Sequence, residues 1–151
     1  MTAFPQTALA ASGWPTLAMP SGFNSLAANA VQTSTGEIDN SGTTARYDWV
    51  RLCIRLGSFN PSAGGMVEVT MLPKYDGSYP SLTVWPVGSG AMPQAACQLD
   101  TGAAAKVALF RFYGLCPTLY KVMVRNGTGV AFAASGNSVS WSGSLRETRA
   151  T

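Results

Sequence analysis

The clearest pattern in the chain is the alternation of apolar and polar side chains over residues 46–56, RYDWVRLCIRL. Side chains two residues apart on a strand point to the same face of a sheet, so this segment predicts a strand with two different faces. One face consists of Val50, Leu52, Ile54 and Leu56. The other face carries Tyr47, Trp49, Arg51, Cys53 and Arg55. We expect the aliphatic face to enter the core and the arginine face to meet solvent or a partner.

Other short segments with β-type patterns follow along the chain. The further predicted strands are 26–34, 66–73, 82–87, 94–100, 105–114, 118–126, 130–134 and 138–142. In 118–126, the alternation places Tyr120, Val122 and Val124 on one face of the predicted strand. Leu119, Lys121, Met123 and Arg125 fall on the other face. Asn126-Gly127 predicts a tight hairpin turn after which 130–134 pairs back on that strand.

These strands are short, turn signals separate them closely, and no helix is predicted after residue 26. About eight short strands in one chain predict an all-β, single-domain, antiparallel two-sheet sandwich, and in particular a jelly roll. We expect the sandwich to span 26–145 and a tail to span 146–151.

Residues 1–25 differ from the rest because the first charged side chain is Glu37. Their large apolar side chains follow neither a helical nor a strand period, and the prolines favour an extended path. We therefore predict an arm over 1–25 that packs on a partner, with packing on its own domain and disorder as alternatives. The apolar side chains predicted to contact the partner are Phe4, Leu9, Trp14, Leu17, Met19 and Phe23. The segment has no positive start and is broken by prolines, so we expect neither a signal peptide nor a membrane span.

The composition narrows the classes of partner. Only 11% of the 151 residues are charged and the formal net charge is +3, which indicates an uncharged surface partly covered by neighbours. The basic residues are scattered, so nucleic-acid binding is not expected. Three cysteines, Cys53, Cys97 and Cys116, suit neither a disulfide framework nor a zinc site, and we expect reduced thiols in a protein made in a reducing cytoplasm.

Candidate catalytic chemistry is sparse. The chain has no histidine, the commonest general base, and its few acids show no spacing typical of a catalytic pair or a calcium site. We expect no enzymatic activity, no cofactor and no metal ion. Aromatic side chains at Trp49, Tyr75, Tyr79 and Trp85 suit either sugar stacking or a protein interface.

The order of several segments resembles a known family. An EIDN turn precedes YDWVRLCIRL, and the segments that follow are PSAGG, VEVTMLPKYDGSYP and VRNGTGVAFAASGN. Over roughly residues 22–141 this series resembles small jelly-roll decoration or cement proteins of tailed-bacteriophage heads. The resemblance implies a structural virion protein, made in the bacterial cytoplasm, that binds the major capsid protein and cements neighbouring subunits on the outer capsid surface. It also implies self-association as a dimer or trimer.

We expect the partner-binding surface to combine the arm with Trp49, Arg51 and Arg55. The alternative function is a carbohydrate-binding module of a phage head or tail appendage, with a host glycan stacked on Trp49, Tyr75, Tyr79 and Trp85. An enzyme that depolymerises polysaccharide is a third and weaker alternative.

Overall fold

The computed structural model describes residues 14–41, 47–82, 94–115 and 118–145, which form two antiparallel β-sheets around one core. The strands are β1 (Thr16–Leu17), β2 (Val31–Thr33), β3 (Ile38–Asp39), β4 (Tyr47–Leu56), β5 (Met66–Pro73), β6 (Gln94–Gln98), β7 (Lys106–Tyr113), β8 (Leu119–Gly127) and β9 (Ser138–Leu145). A 3-10 turn spans Ser21–Phe23.

The strand order is that of a jelly roll. One sheet has the order β1-β9-β4-β7 and the other has the order β2-β8-β5-β6, with the short β3 also paired to β8. When β3 is set aside, the first strand pairs with the last, the second with the second-last, and so on inward to β5 and β6. This nested pairing is what a long hairpin produces when it wraps into two sheets. The predicted antiparallel two-sheet sandwich is therefore confirmed.

The core lies between the two sheets and follows the predicted alternation. Val50, Leu52, Ile54 and Leu56 of β4 are at most 1% exposed, because β4 has β7 and β9 as neighbours and the other sheet beneath it. The opposing sheet contributes Val67, Val69, Met71, Tyr120, Val122 and Val124. The expected core face of β4 is confirmed, and in β8 the set that enters the core is Tyr120, Val122 and Val124.

One residue of the β4 pattern lies on the other face from the one predicted. The pairing of β4 with β9 shifts between Tyr47 and Trp49, and this bulge turns Tyr47 towards the core. The Tyr47 ring packs edge-on against Trp141, with centroids 5.5 Å apart. It also lies over Gly143, where a Cβ atom would collide with the ring. A bulge reverses the alternation at one position, which a strict period of two cannot predict.

The described part of the predicted arm belongs to the sandwich. β1 pairs with β9, and Leu17 and Phe23 are 3% and 2% exposed in the core that β4 also lines. The sandwich therefore includes Thr16–Leu17, which lie inside the segment assigned to the arm. This strand could not be predicted from the sequence, because it is two residues long and Pro15 directly precedes it.

The chain also differs from expectation after β8. No hairpin forms at Asn126-Gly127, and residues 130–134 are not a strand. Instead β8 continues through Gly127, and residues 128–137 carry the chain from one sheet to the other. Phe132 is buried there, with its ring edge-on to Phe23 and to Phe59 at 5.8 Å in each case.

Buried amides hold this crossing loop. The Asn126 side-chain amide donates to the carbonyls of Leu26 and Val130, both at 2.7 Å, while its oxygen accepts from the Thr128 backbone N–H. Asn137 accepts from the Gly57 N–H at 2.9 Å, and Gly57 has no room for a side chain because the Ser135 carbonyl lies against it. Asparagine here supplies hydrogen bonds that a strand would otherwise make.

Smaller differences concern short segments. Of the predicted strand 26–34, only Val31–Thr33 forms, and the predicted turn region after it contains β3. The greater part of the predicted strand 82–87 and all of the tail 146–151 lie outside the described residues.

We predict that Asn126→Ala lowers the free energy of unfolding by about 2–4 kcal/mol, because the Leu26 and Val130 carbonyls each lose one donor and the buried Thr128 N–H loses its acceptor. Urea unfolding followed by tryptophan fluorescence measures the change. Asn24→Ala is the matched control, since Asn24 is exposed, and should change stability by less than about 0.5 kcal/mol. Equal unfolding midpoints for the two variants would contradict the role of Asn126.

Candidate functional site: the outer face of the four-stranded sheet

The outer face of the β1-β9-β4-β7 sheet brings two strands with large side chains side by side. Across β4 and β7 the paired residues on this face are Trp49 with Tyr113, Arg51 with Arg111, Cys53 with Leu109, and Arg55 with Val107. Because alternate residues point outward, the inward partners on β7 are Ala108, Phe110 and Phe112, which are all buried. The face therefore consists of arginine, aromatic and aliphatic side chains.

On the other side of β4 the same face is lined by serine. The β9 residues paired with Trp49, Arg51, Cys53 and Arg55 are Ser144, Ser142, Ser140 and Ser138. Serine is short, so β9 adds little side-chain bulk beside β4. The large side chains of β4 and β7 are therefore the most prominent groups on this face.

The β7 side of the face is apolar and exposed. Val107, Leu109 and Tyr113 are 53%, 64% and 62% exposed. β7 lies at the edge of its sheet in the described part of the chain. Exposed apolar side chains that form one contiguous group mark binding surfaces more often than scattered ones do. We refer to Trp49, Arg51, Arg55, Val107, Leu109, Arg111 and Tyr113 as the outer-face patch.

Two guanidinium groups stack around one indole in the patch. The Arg51 Cζ atom lies 4.4 Å from the centre of the Trp49 ring, and the Arg111 Cζ atom lies 5.3 Å from it. Arg111 Nη1 also donates to the Tyr113 hydroxyl at 2.8 Å. Such contacts restrain both arginines, since cation–π attraction and a hydrogen bond act on the same side chain.

The patch is electropositive. Within the described residues, the ion pairs are Arg125 with Glu68 at 2.9 Å and Lys74 with Glu37 at 3.9 Å, and both involve strands or turns of the other sheet. Arg51, Arg55 and Arg111 thus face outward without a carboxylate partner in that part of the chain. An acidic surface would complement them.

The structure places the predicted partner-binding residues in three groups. Trp49, Arg51 and Arg55 lie together in the patch, as predicted from β4 alone. Leu17 and Phe23 are wrong as partner contacts, because they are buried in their own core, and Met19 packs against that core. Trp14 is half-buried, and Phe4 and Leu9 lie outside the described residues.

Sequence reasoning missed the contribution of β7. The segment KVALFRFY alternates as strictly as β4, with Val107, Leu109, Arg111 and Tyr113 on one set of positions. Both sets are largely apolar, so the pattern alone did not identify the outer set. Burial separates them once the pairing with β4 is known.

The aromatic residues considered for sugar stacking do not form one platform. Trp49 lies on the four-stranded sheet, whereas Tyr75 lies in a tight turn after β5 and the Tyr79 ring lies 4.9 Å from Lys121 Nζ on β8. Burial and the nearby Glu37 carboxylate raise the pKa of Tyr79, so this phenol stays neutral. Trp85 lies outside the described residues.

The acidic side chains and thiols of the described residues do not come together in a second candidate site. Among the described residues, no three histidine, cysteine or acidic side chains cluster as metal ligands would. Asp39 accepts from the Ser41 hydroxyl and backbone N–H, and these hydrogen bonds lower its pKa, as expected of a turn. Cys53 and Cys97 are free thiols, and Cys116 lies outside the described residues. No helix in the described part is long and apolar enough to cross a membrane.

No family model, no curated protein and no solved structure matches this chain.

We predict that Leu109→Gln changes the free energy of unfolding by less than about 0.5 kcal/mol, because this side chain is mostly exposed. The same variant should bind a phenyl chromatography column less strongly than the wild type. Phe110→Ala, one residue away but buried, should cost about 3–5 kcal/mol. If Leu109→Gln proved as costly as Phe110→Ala, the register of β7 would have to shift by one residue and the patch would not exist.

Proposed function

We propose that the chain is a structural, non-enzymatic protein that binds another protein through the outer-face patch, and that it decorates or cements a bacteriophage head. The single observation that carries the binding role is the exposure of Val107, Leu109 and Tyr113 on one face of β7, beside paired arginines and a tryptophan. Tryptophan, tyrosine and arginine are the side chains that contribute most to protein interfaces.

A protein partner fits this patch better than a sugar. A carbohydrate stacks on an open aromatic face, but the Trp49 ring is already covered by the Arg51 guanidinium at 4.4 Å. Tyr113 also uses its hydroxyl to hold Arg111. The aliphatic groups of Val107 and Leu109 offer a sugar no hydrogen bonds, whereas they suit the apolar centre of a protein interface.

The non-enzymatic reading is supported by the residue types that the chain contains. The sequence has no histidine. Glu68 is engaged by Arg125, and Asp39 is engaged by Ser41. The absence of histidine and the structural use of these acids favour a binding role over turnover.

Two observations support a role on a phage head. Several sequence segments follow one another in an order that resembles phage decoration proteins, and the jelly-roll topology is one that viral capsid proteins share with lectins and cupins. A weakly charged surface also suits a molecule repeated at high density on a shell, where each copy touches neighbours. In this proposal the major capsid protein is the main partner, and copies of the chain associate with one another as a dimer or trimer. The protein is made in the bacterial cytoplasm and then joins the capsid surface.

Co-production with the head proteins of the genome that encodes the chain tests this proposal. We expect the chain to sediment with purified particles and to be released at least about tenfold more readily in the Val107→Gln/Leu109→Gln variant. Met66→Gln is the matched control, since Met66 is an exposed apolar residue on the other sheet and should behave as the wild type. Particles that lack the wild-type chain, or particles that retain the double variant undiminished, would count against the proposal.

The remaining part of the predicted arm needs a separate test. Deleting residues 1–13 removes Phe4 and Leu9 but leaves β1 and the buried Leu17 in place. We expect the shortened chain to fold with the same cooperative unfolding transition and to occupy fewer sites on particles. Wild-type occupancy would remove the arm from the mechanism. Deleting through Phe23 would instead destabilise the sandwich, so it does not test binding.

A further inference from the structure

Arg51 and Arg111 are directly paired across β4 and β7 and lie around the same indole ring. Like charges placed directly opposite on neighbouring strands repel and destabilise a sheet. The Trp49 ring and the Tyr113 hydroxyl offset part of this repulsion, but neither carries a negative charge. Among the described residues, therefore, no carboxylate neutralises this pair.

Two polar atoms in the same cross-strand row are buried and have no hydrogen-bond partner. These atoms are Arg51 Nε and the hydroxyl oxygen of Ser142, the β9 residue paired with Arg51. Ser142 is only 3% exposed. A buried donor without an acceptor costs free energy, so each such atom calls for an explanation. An oxyanion in this row would supply acceptors for both.

We propose that Arg51 and Arg111, with Ser142 beside them, form a receptor for an aspartate or glutamate side chain of the partner protein. This inference rests on the proposed function, because it names the chemistry of the partner at the same patch. A guanidinium binds a carboxylate through two parallel N–H donors, so two guanidiniums present donors to both carboxylate oxygens. The exposed Leu109 and Tyr113 would lie at the same interface and keep water from the ion pair.

The arrangement favours a carboxylate on a protein over other anions. A nucleic acid presents a row of phosphates and requires a row of cations, whereas here two arginines lie 4.4 Å and 5.3 Å from the centre of one indole ring, beside an apolar strand. An acidic sugar would need a free aromatic face, and the Trp49 face is occupied. A protein surface can present one carboxylate together with apolar neighbours. The carboxylate would match the arginines of the patch, and the apolar neighbours would match its β7 side chains.

The site is tested first on the isolated chain, by NMR of the arginine Nε–H resonances. Sodium acetate and sodium glutarate are the probes, and sodium chloride and sodium phosphate at equal ionic strength are the comparisons. We expect saturable shifts of the Arg51 and Arg111 resonances with the carboxylates. Arg125 serves as an internal reference for a guanidinium already bound to a carboxylate and should not shift. Shifts no larger than those in chloride, or larger shifts in phosphate, would overturn the carboxylate assignment.

Particle binding then separates this inference from the proposed function. Arg111→Lys keeps the positive charge but loses the planar guanidinium, whose N–H donors can bind both oxygens of a carboxylate. We expect this variant to weaken particle binding at least tenfold. Arg125→Lys is the matched control, since Arg125 pairs with Glu68 on the other sheet, outside the patch, and this variant should bind as the wild type. Wild-type binding by Arg111→Lys would refute the receptor while leaving the docking surface in place. A wild-type chain that responds to acetate but never joins particles would refute the phage role while leaving the receptor in place.

Discussion

The structure depends on the burial of one face of β4 between two neighbouring strands and the opposing sheet. Val50, Leu52, Ile54 and Leu56 are almost completely excluded from water, and a slip of one residue would expose all of them. Their burial therefore fixes the register of β4 with both β7 and β9. The outer-face patch follows from that register, because the residues that alternate with the core positions have to meet on the opposite side.

The two outer faces of the sandwich differ in a way that favours the four-stranded sheet as the proposed binding surface. On the five-stranded sheet, Thr70, Leu72 and Met123 point away from the core and yet are at most 1% exposed, and Arg125 is paired with Glu68. On the four-stranded sheet, the arginines lack such partners in the described chain and the apolar side chains of β7 are open to solvent. The first face pairs its arginine with its own carboxylate, whereas the described residues of the second face give its arginines no such partner.

The sequence predicts those parts of the fold in which local pattern and tertiary environment agree. β4, β5, β7 and β8 follow their alternation closely, so the strands and the sandwich could be predicted, and for β4 the core face as well. β1 could not, because two residues carry no period and only the pairing with β9 defines the strand. The crossing loop was mistaken for a hairpin because Asn126-Gly127 is a strong turn signal, and nothing local shows that the Asn126 amide is needed to bind distant carbonyls. In the candidate site, Trp49, Arg51 and Arg55 were found from one strand, but their β7 neighbours required the register between strands.

Central to the proposed function is the docking of the outer face of the four-stranded sheet on a protein partner through arginine and apolar contacts. A cryo-electron microscopy map of particles carrying the chain tests it most directly. The account predicts that β4 and β7 face the shell, with Leu109 covered and an acidic side chain of the shell between Arg51 and Arg111. A map in which the five-stranded sheet faces the shell and the patch points to solvent would contradict it.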